Sequence, residues 1–268
     1  MKISGKILLL AVTTLSLAAC KGNKDKEHLH EVEDLPAQNP VTVNGMKQDT
    51  VMFPSGDGLM MSAVEYTIDS TSPVIVLCHQ ARFSNYEYAE IAPRLNSMGY
   101  NCIAIDQRCG GTMDGHENMT YKNAVDAKKG VEYLDAEQDI VAGVDYAYNK
   151  WHKPIILWGS SYSGGLVLKT AANSDKVQYA LAFSPGEYYE GKLSVKESIK
   201  GLNKPTFITS TEKEAGAIEK MIADVQPGVI TQYFPETKGT HGSKCLWSAD
   251  PSHEYYWKAV TDWLRERK

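Results

Sequence analysis

A turn built from small residues carries the strongest chemical signal in this chain of 268 residues. The apolar run Pro154–Trp158 leads into Gly-Ser-Ser-Tyr-Ser-Gly-Gly, residues 159–165, and then into a helix-forming segment. A serine hydroxyl is a weak nucleophile, and it becomes reactive when it is held exposed beside a base and amide donors. A sharp turn between a strand and a helix provides that setting. The segment therefore predicts a nucleophilic serine.

Ser161 is the hydroxyl on which this turn is centred, because Gly159 and Ser163 are the small residues two positions before and after it. Ser160 and Ser163 are rival hydroxyls in the same turn. The helix beyond Ser161 directs its positive end toward developing negative charge, and the backbone N–H of Tyr162 is predicted to donate to an oxyanion. The expected chemistry is acyl transfer.

The candidate base is His241, which lies near Gly239 and Gly242 in a loop just ahead of the C-terminal helix. That loop follows the last strand-like run, so it is expected at the same edge of the fold as the serine turn. The other histidines lie in a charged N-terminal segment, before a strand, in other loops or at the start of the last helix: His28, His30, His79, His116, His152 and His253.

The order of elements predicts an α/β fold. Continuous apolar runs alternate with amphipathic stretches, which is typical of a parallel sheet with helices on both faces. An Asp-Gly turn at residues 55–58 adds a hairpin before them, for eight strands in total. The six later runs cover 73–79, 101–106, 154–159, 179–184, 205–210 and 229–234. The predicted helices cover 86–98, 136–150, 162–173, 215–223 and 253–265.

Two long segments fit neither strands nor helices: residues 109–135 and 186–203. Each leaves the carboxyl end of a predicted parallel strand, and ligands bind at that edge of open α/β sheets. We therefore expect both segments to be cap loops that contact substrate.

The N-terminus has the features of a bacterial lipoprotein signal. Lys2 and Lys6 precede an apolar stretch over residues 7–17, which is too short to cross a bilayer, and Leu-Ala-Ala-Cys follows. We expect residues 1–19 to be a signal peptide and Cys20 to be the lipidated residue. Residues 20–45, beginning with a charged stretch, are expected to be that cysteine and a flexible tether, and 46–268 the folded domain. The predicted location is the bacterial cell envelope, anchored by lipid and facing the periplasm or the exterior.

Composition excludes several classes of partner. The formal net charge is −5 and there is no basic stripe, so nucleic acid is not an expected partner. No Cys-x-x-Cys or His/Cys cluster suggests zinc, and no cofactor is implied. Cys78 and Cys102 lie in apolar runs and are expected to be free thiols. Cys109 and Cys245 lie in loops, where a disulfide is conceivable in an oxidising compartment.

The segment 77–111, LCHQARFSNYEYAEIAPRLNSMGYNCIAIDQRCGG, together with the serine turn, resembles the α/β-hydrolase superfamily, specifically its dienelactone-hydrolase-like and esterase-like members. The resemblance covers nearly all of the mature domain and implies one domain with modest insertions. It implies a second oxyanion donor at the backbone of Ala81 or Gln80. It also implies that Asp106 and Arg108 form a structural ion pair behind the site.

The same resemblance implies the order serine, acid, histidine along the chain. In similar proteins a strand that starts with proline runs into a short turn, and the acid closes that turn. Counted from Pro205, the pattern places the acid at Glu214. Glu212 and Glu187 are rivals.

These features predict a serine hydrolase that acts on an ester or related acyl substrate through a Ser161–Glu214–His241 triad and an acyl-enzyme. Dienelactone hydrolases use a cysteine nucleophile, so their substrate is not carried over. Two alternatives stay open. One is a peptidase of the same fold, and the other is an inert lipoprotein that binds a partner or glycan.

Overall fold

A computed structural model describes residues 45–268, and the structural statements below concern that part of the chain. The predicted signal peptide, Cys20 and all but the last residue of the predicted tether lie outside it. Within residues 45–268, no helix is both long and apolar enough to span a bilayer.

The strands form one large sheet and one small hairpin. They are β1 (Lys47–Pro54), β2 (Met60–Thr67), β3 (Val74–Cys78), β4 (Asn101–Ile105), β5 (Thr112–Met113), β6 (His116–Glu117), β7 (Ile155–Ser160), β8 (Val177–Phe183), β9 (Thr206–Thr209) and β10 (Ile230–Tyr233). The large sheet has eight strands in the order β1-β2-β4-β3-β7-β8-β9-β10. Within this large sheet, the β1–β2 and β2–β4 pairs are antiparallel and the other pairs are parallel. The prediction of an eight-stranded, mostly parallel sheet is confirmed.

Helices cover both faces of this sheet. They are α1 (Ile91–Ser97), α2 (Met119–Asp126), α3 (Glu137–Trp151), α4 (Tyr162–Asn173), α5 (Val195–Ser198), α6 (Glu212–Ile222) and α7 (His253–Arg265). Alternate strand residues point to opposite faces. In β3, Val74 and Val76 pack with α3 and α4, whereas Ile75 and Leu77 pack with α1 and α7.

The observed helix bounds agree with the predicted ones for some helices and differ for others. The predictions for α4 and α7 are confirmed residue by residue. The stretch predicted as one helix over 86–98 is instead a 3-10 helix, Asn85–Tyr88, followed by α1. Pro93 has no N–H to donate to the carbonyl of residue 89, so a continuous helix would lack that bond. Helix α6 begins at Glu212, three residues early, because Thr211 and Glu214 form a capping box.

The predicted Asp106–Arg108 ion pair is wrong. The buried Arg108 guanidinium binds Asp139 at 2.8 Å and Asp57 at 2.9 Å. The Asp106 carboxylate instead accepts from the backbone amides of Asn85 and Met119. The chain turns directly after β4, so these two side chains face different neighbours.

The four cysteines of the described region are buried free thiols, Cys78, Cys102, Cys109 and Cys245. The disulfide considered for Cys109 and Cys245 is therefore not formed here, and the expectation for Cys78 and Cys102 agrees with their positions in β3 and β4.

Asp139→Asn should lower the free energy of unfolding by about 3 kcal/mol, because it leaves the buried guanidinium of Arg108 partly uncompensated. Urea denaturation measures this. The control is Asp126→Asn, which breaks the exposed Lys122–Asp126 pair and should cause no measurable loss. Equal effects of the two substitutions would contradict the structural role assigned to the buried pair.

Candidate active site

The backbone at Ser161 is held in an unusual conformation. Its φ is 60° and its ψ is −123°, a region that residues other than glycine rarely occupy. The N–H of Ser161 donates to the carbonyl of Phe183 at 2.8 Å, and its carbonyl accepts from Gly164 at 2.9 Å. The turn between β7 and α4 therefore fixes the serine by bonds on both sides.

The neighbours of Ser161 explain why the turn needs small residues. A Cβ at Gly159 would lie 2.7 Å from the carbonyl oxygen of Ser163 and 2.8 Å from Gly164. Ser163 occupies a position where glycine would also fit, and its hydroxyl has a structural use. It accepts from the amide of Ser160 at 2.8 Å and donates to the carbonyl of Cys78 at 2.8 Å. This hydroxyl ties the end of β7 to the end of β3.

Ser161, His241 and Glu214 come together in one line of hydrogen bonds. The Nε2 atom of His241 lies 2.8 Å from Ser161 Oγ, and its Nδ1 atom lies 2.5 Å from Glu214 Oε1. These residues follow β7, β10 and β9, so all lie at the carboxyl edge of the sheet. A carboxylate can only accept, so Nδ1 carries the proton and Nε2 is free to accept from the serine hydroxyl.

The Glu214 carboxylate is stabilised in its ionised form. It lies in the first turn of α6, and Oε2 accepts from the Thr211 amide at 3.0 Å and from the hydroxyl of Ser184 at 2.8 Å. Burial alone would raise the pKa of Glu214, but the hydrogen bonds from His241, Thr211 and Ser184 outweigh it and lower that pKa to about 2. This group is therefore charged at neutral pH.

The two rival acids lie elsewhere. Glu212 is exposed at the start of α6. The carboxylate of Glu187 caps α5, accepting from the amides of Val195 at 2.7 Å and Lys196 at 2.8 Å. Of the three acids considered, the structure brings Glu214 to the histidine.

Two backbone amides in the loop after β3 differ in whether their N–H groups already have a hydrogen-bond acceptor. The Gln80 N–H donates to the buried carboxylate of Glu87 at 2.7 Å. The Ala81 N–H has no protein acceptor within the part of the chain that the structure describes. Tyr162 is the first residue of α4, so its N–H has no intrahelical acceptor either. The amides of Tyr162 and Ala81 are thus available, whereas that of Gln80 is engaged.

His79 fixes the direction of the Ala81 amide. Its Nδ1 donates to the carbonyl of Gln80 at 2.7 Å, while its Nε2 accepts from the amide of Gln107 at 2.9 Å. Burial lowers the pKa of His79 to about 4, so the ring is neutral and can play both roles. In a trans peptide the carbonyl and the next N–H point in opposite directions. Anchoring the Gln80 carbonyl therefore turns the Ala81 N–H away from His79.

Ser184 is a site residue that sequence reasoning missed. Its buried hydroxyl donates to Glu214 at 2.8 Å and accepts from the amide of Gly242 at 3.0 Å, so it links the acid to the histidine loop. Its backbone φ is 50°. The only sequence signal is its place directly after β8, at the edge where ligands bind.

The cap segments bring aromatic side chains to this edge. The segment 109–135 contains the β5–β6 hairpin and α2, and 186–203 contains α5. The Tyr133 ring stacks on that of Tyr162 with centroids 4.7 Å apart. Tyr188 is half-buried and its hydroxyl donates to the carbonyl of Ser184 at 3.2 Å. The segment 109–135 thus packs a ring on the first residue of α4, and the segment 186–203 contacts the backbone of Ser184.

Comparison with known proteins agrees with this architecture. No model of a known protein family matches the chain. A 141-residue stretch is 28% identical to the quorum-quenching protein AidA of Acinetobacter baumannii, covering 50% of this chain and 43% of that relative. The chain thus spans less than half the length of that relative.

Solved structures match over most of the chain. The esterase Pf2001 of Pyrococcus furiosus superimposes with a TM-score of 0.64 at 17% identity, covering 82% of this chain and 93% of the esterase. A dienelactone hydrolase of Anabaena variabilis gives a TM-score of 0.64 at 12% identity, covering 83% and 98%. The α/β hydrolase GrgF of a Penicillium species gives 0.66 at 13%, covering 82% and 98%.

The mostly parallel eight-stranded sheet and these structural matches define the fold of the chain. The chain has the α/β-hydrolase fold, and the predicted resemblance to esterase and dienelactone hydrolase structures is confirmed.

Ser163→Ala should lower the free energy of unfolding by about 1–3 kcal/mol, because the buried amide of Ser160 loses its acceptor. Urea denaturation measures the loss. Ser198→Ala removes a partly exposed hydroxyl of α5, which donates to the nearby carbonyl of Ser194, and serves as the control, with little effect expected. An unchanged stability for Ser163→Ala would show that the hydroxyl does not stabilise the turn.

Proposed function

We propose that the protein is a serine hydrolase that cleaves a carboxylic ester or a related acyl compound through an acyl-enzyme. The observation that carries this proposal is the line of contacts from Ser161 Oγ to His241 Nε2, 2.8 Å, and from His241 Nδ1 to Glu214, 2.5 Å. It lies at a strained turn beside two available amides, which is the arrangement that acyl transfer requires.

Each residue has a role in this mechanism. His241 takes the proton of Ser161 as the serine oxygen attacks the substrate carbonyl, and the C–O bond to the leaving alcohol then breaks as His241 returns the proton. The amides of Tyr162 and Ala81 stabilise the oxyanion. Glu214 holds the imidazole tautomer and stabilises the imidazolium. Water, activated by His241, then hydrolyses the acyl-serine.

The comparisons support an ester as the substrate class. Several of the structures that match are named esterases or dienelactone hydrolases, and lactones are cyclic esters. The protein named for quorum quenching matches over only half of this chain, so it supports adding lactones to a substrate screen and nothing more specific. A peptidase and a binding protein without activity are the alternatives that this screen separates.

Ser161→Ala should reduce ester hydrolysis at least ~10³-fold while the protein stays folded, because Ser161 carries the one hydroxyl of residues 45–268 that hydrogen-bonds His241. The measurement is initial rates of the wild type and the variant on short-chain acyl esters, sugar esters, lactones and peptides. The comparison variant is Ser198→Ala, which removes a serine hydroxyl of α5 that has no part in this line of contacts. Hydrolysis of peptides alone would favour the peptidase, and no hydrolysis of any substrate would favour the binding protein.

The identity of the acid is tested in the same assay. Glu214→Gln should lose at least about tenfold more kcat than Glu212→Gln or Glu187→Gln, given the large cost of a wrong histidine tautomer. If Glu187→Gln or Glu212→Gln is the crippled variant, that residue is the acid instead.

We also propose that the protein is anchored to a membrane of the bacterial cell envelope by lipid on Cys20. The support is the sequence alone, a short charged and apolar leader ending in Leu-Ala-Ala-Cys. Two or three acyl chains would hold the protein firmly, since each buried methylene contributes roughly 0.8 kcal/mol.

Cys20→Ser should release the protein from the membrane fraction or block processing of the leader. Fractionation and intact mass spectrometry measure both effects, with Cys109→Ser as a control that should leave the location unchanged. A mature wild-type protein that begins at another residue and carries no lipid would contradict the anchor.

A further inference from the structure

A buried carboxylate lies beneath the candidate active site and has no part in the line of contacts described above. Glu87, in the 3-10 helix Asn85–Tyr88, has no solvent exposure. Within residues 45–268, no lysine, arginine or histidine forms a salt bridge with it. Burying a carboxylate without a neighbouring cation has a desolvation cost of roughly several kcal/mol. Its hydrogen bonds offset only part of that desolvation cost.

The donors to Glu87 all belong to segments that hold the candidate site. Oε2 accepts from the backbone amide of Gln80 at 2.7 Å, and Oε1 accepts from the hydroxyl of Ser160 at 2.7 Å. The Ser160 hydroxyl in turn accepts from the amide of Ser243 at 2.9 Å. Gln80 precedes Ala81, Ser160 precedes Ser161, and Ser243 lies two residues after His241. One carboxylate thus connects the three segments.

The contacts of Gln80 determine where the Ala81 amide points. Glu87 holds the N–H of Gln80 and His79 holds its carbonyl, so both polar backbone groups of Gln80 are fixed. Without the carboxylate, the Gln80 N–H loses its acceptor and the peptide between Gln80 and Ala81 gains freedom to turn. The serine and histidine segments lose a shared anchor at the same time.

We propose that Glu87 is a positioning residue of the hydrolase: its carboxylate holds the Ala81 amide, Ser161 and His241 in the relative placement that acyl transfer needs. The inference rests on the proposed function. It assigns Glu87 no contact with substrate, and its effect reaches the reaction only through Gln80, Ser160 and Ser243.

Burial also changes the ionisation of Glu87. Burial raises the pKa of Glu87 to about 7, against the opposing effect of the hydrogen bonds from Ser160 and Gln80. The ionisable groups that face it are Tyr88 on its own helix and His241, Lys244 and Cys245 on the histidine loop. A carboxyl whose pKa is raised by folding contributes stability below its unfolded-state pKa, and that contribution is lost as pH rises through the folded-state value.

The test is Glu87→Gln in the full-length protein, with Glu90→Gln as the matched control. Glu90 is exposed three residues later and accepts from the amide of Ser248 at 3.0 Å. Glu87→Gln should lower kcat by about 10- to 100-fold with KM within about twofold of the wild type. It should also speed hydrogen exchange of amides in residues 79–83 and 241–246, while Glu90→Gln changes neither quantity.

The thermal stability of Glu87→Gln distinguishes a positioning role of Glu87 from a general contribution to the stability of the fold. The melting temperature of Glu87→Gln at pH 8, about one unit above the folded-state pKa of Glu87, should be no lower than that of the wild type. The difference in melting temperature in favour of the variant should grow between pH 5 and pH 8. An unchanged kcat, or a loss of kcat matched by a lower melting temperature at pH 8, would overturn the proposal.

Two further measurements keep the outcomes separate. If Glu87→Gln does not fold, Ser160→Ala removes one donor and leaves the carboxylate in place; an unchanged kcat for it would then overturn the proposal. If the wild-type protein hydrolyses no ester, the proposed function fails. Hydrogen exchange still tests the positioning role of Glu87 in that case. Unchanged exchange in residues 79–83 and 241–246 of Glu87→Gln would overturn that role.

Discussion

The backbone of Ser161 is the constraint on which the candidate site depends. A residue other than glycine in such a conformation costs about 1–3 kcal/mol, so the surrounding structure must hold it there. The contacts that do so are the Phe183 carbonyl from the neighbouring strand, the close approach of Gly159 to Ser163, and the Ser163 hydroxyl that reaches Cys78. The strain is retained because it exposes the serine hydroxyl toward His241.

Buried hydroxyls extend this constraint from the serine turn to the neighbouring loops. Ser160, Ser163, Ser184 and Ser243 are each no more than 1% exposed, and each hydrogen-bonds a segment distant in sequence. A serine is small and both donates and accepts, so it can join two backbones that approach closely. The loops after β3, β7, β8 and β10 are therefore fixed by hydrogen bonds between segments that are distant in sequence.

Local patterns predicted much of the fold. The bounds of α4 and α7 follow from apolar periodicity, and the sheet follows from continuous apolar runs. The meeting of Ser161 and His241 follows from their places after parallel strands, since those strands end at one edge. Glu214 depended on the resemblance to known hydrolases, and its place in the first turn of α6 comes from the capping box with Thr211.

Contacts between distant segments could not be predicted in this way. The ion pair expected between Asp106 and Arg108 is wrong because the chain turns after β4, and the partners of Arg108 are Asp57 and Asp139. Ser184 contacts Gly242, and Glu87 contacts Ser160, across long separations in sequence. No periodicity or spacing signals such pairs.

In the proposed function, Ser161 is a nucleophile activated by His241. The most direct measurement is labelling with a fluorophosphonate, followed by mass spectrometry of the peptides. One covalent adduct is expected, on Ser161, and it should not form in His241→Ala. An adduct on Ser160 or Ser163, or ester hydrolysis by a protein that the reagent neither labels nor inhibits, would contradict it.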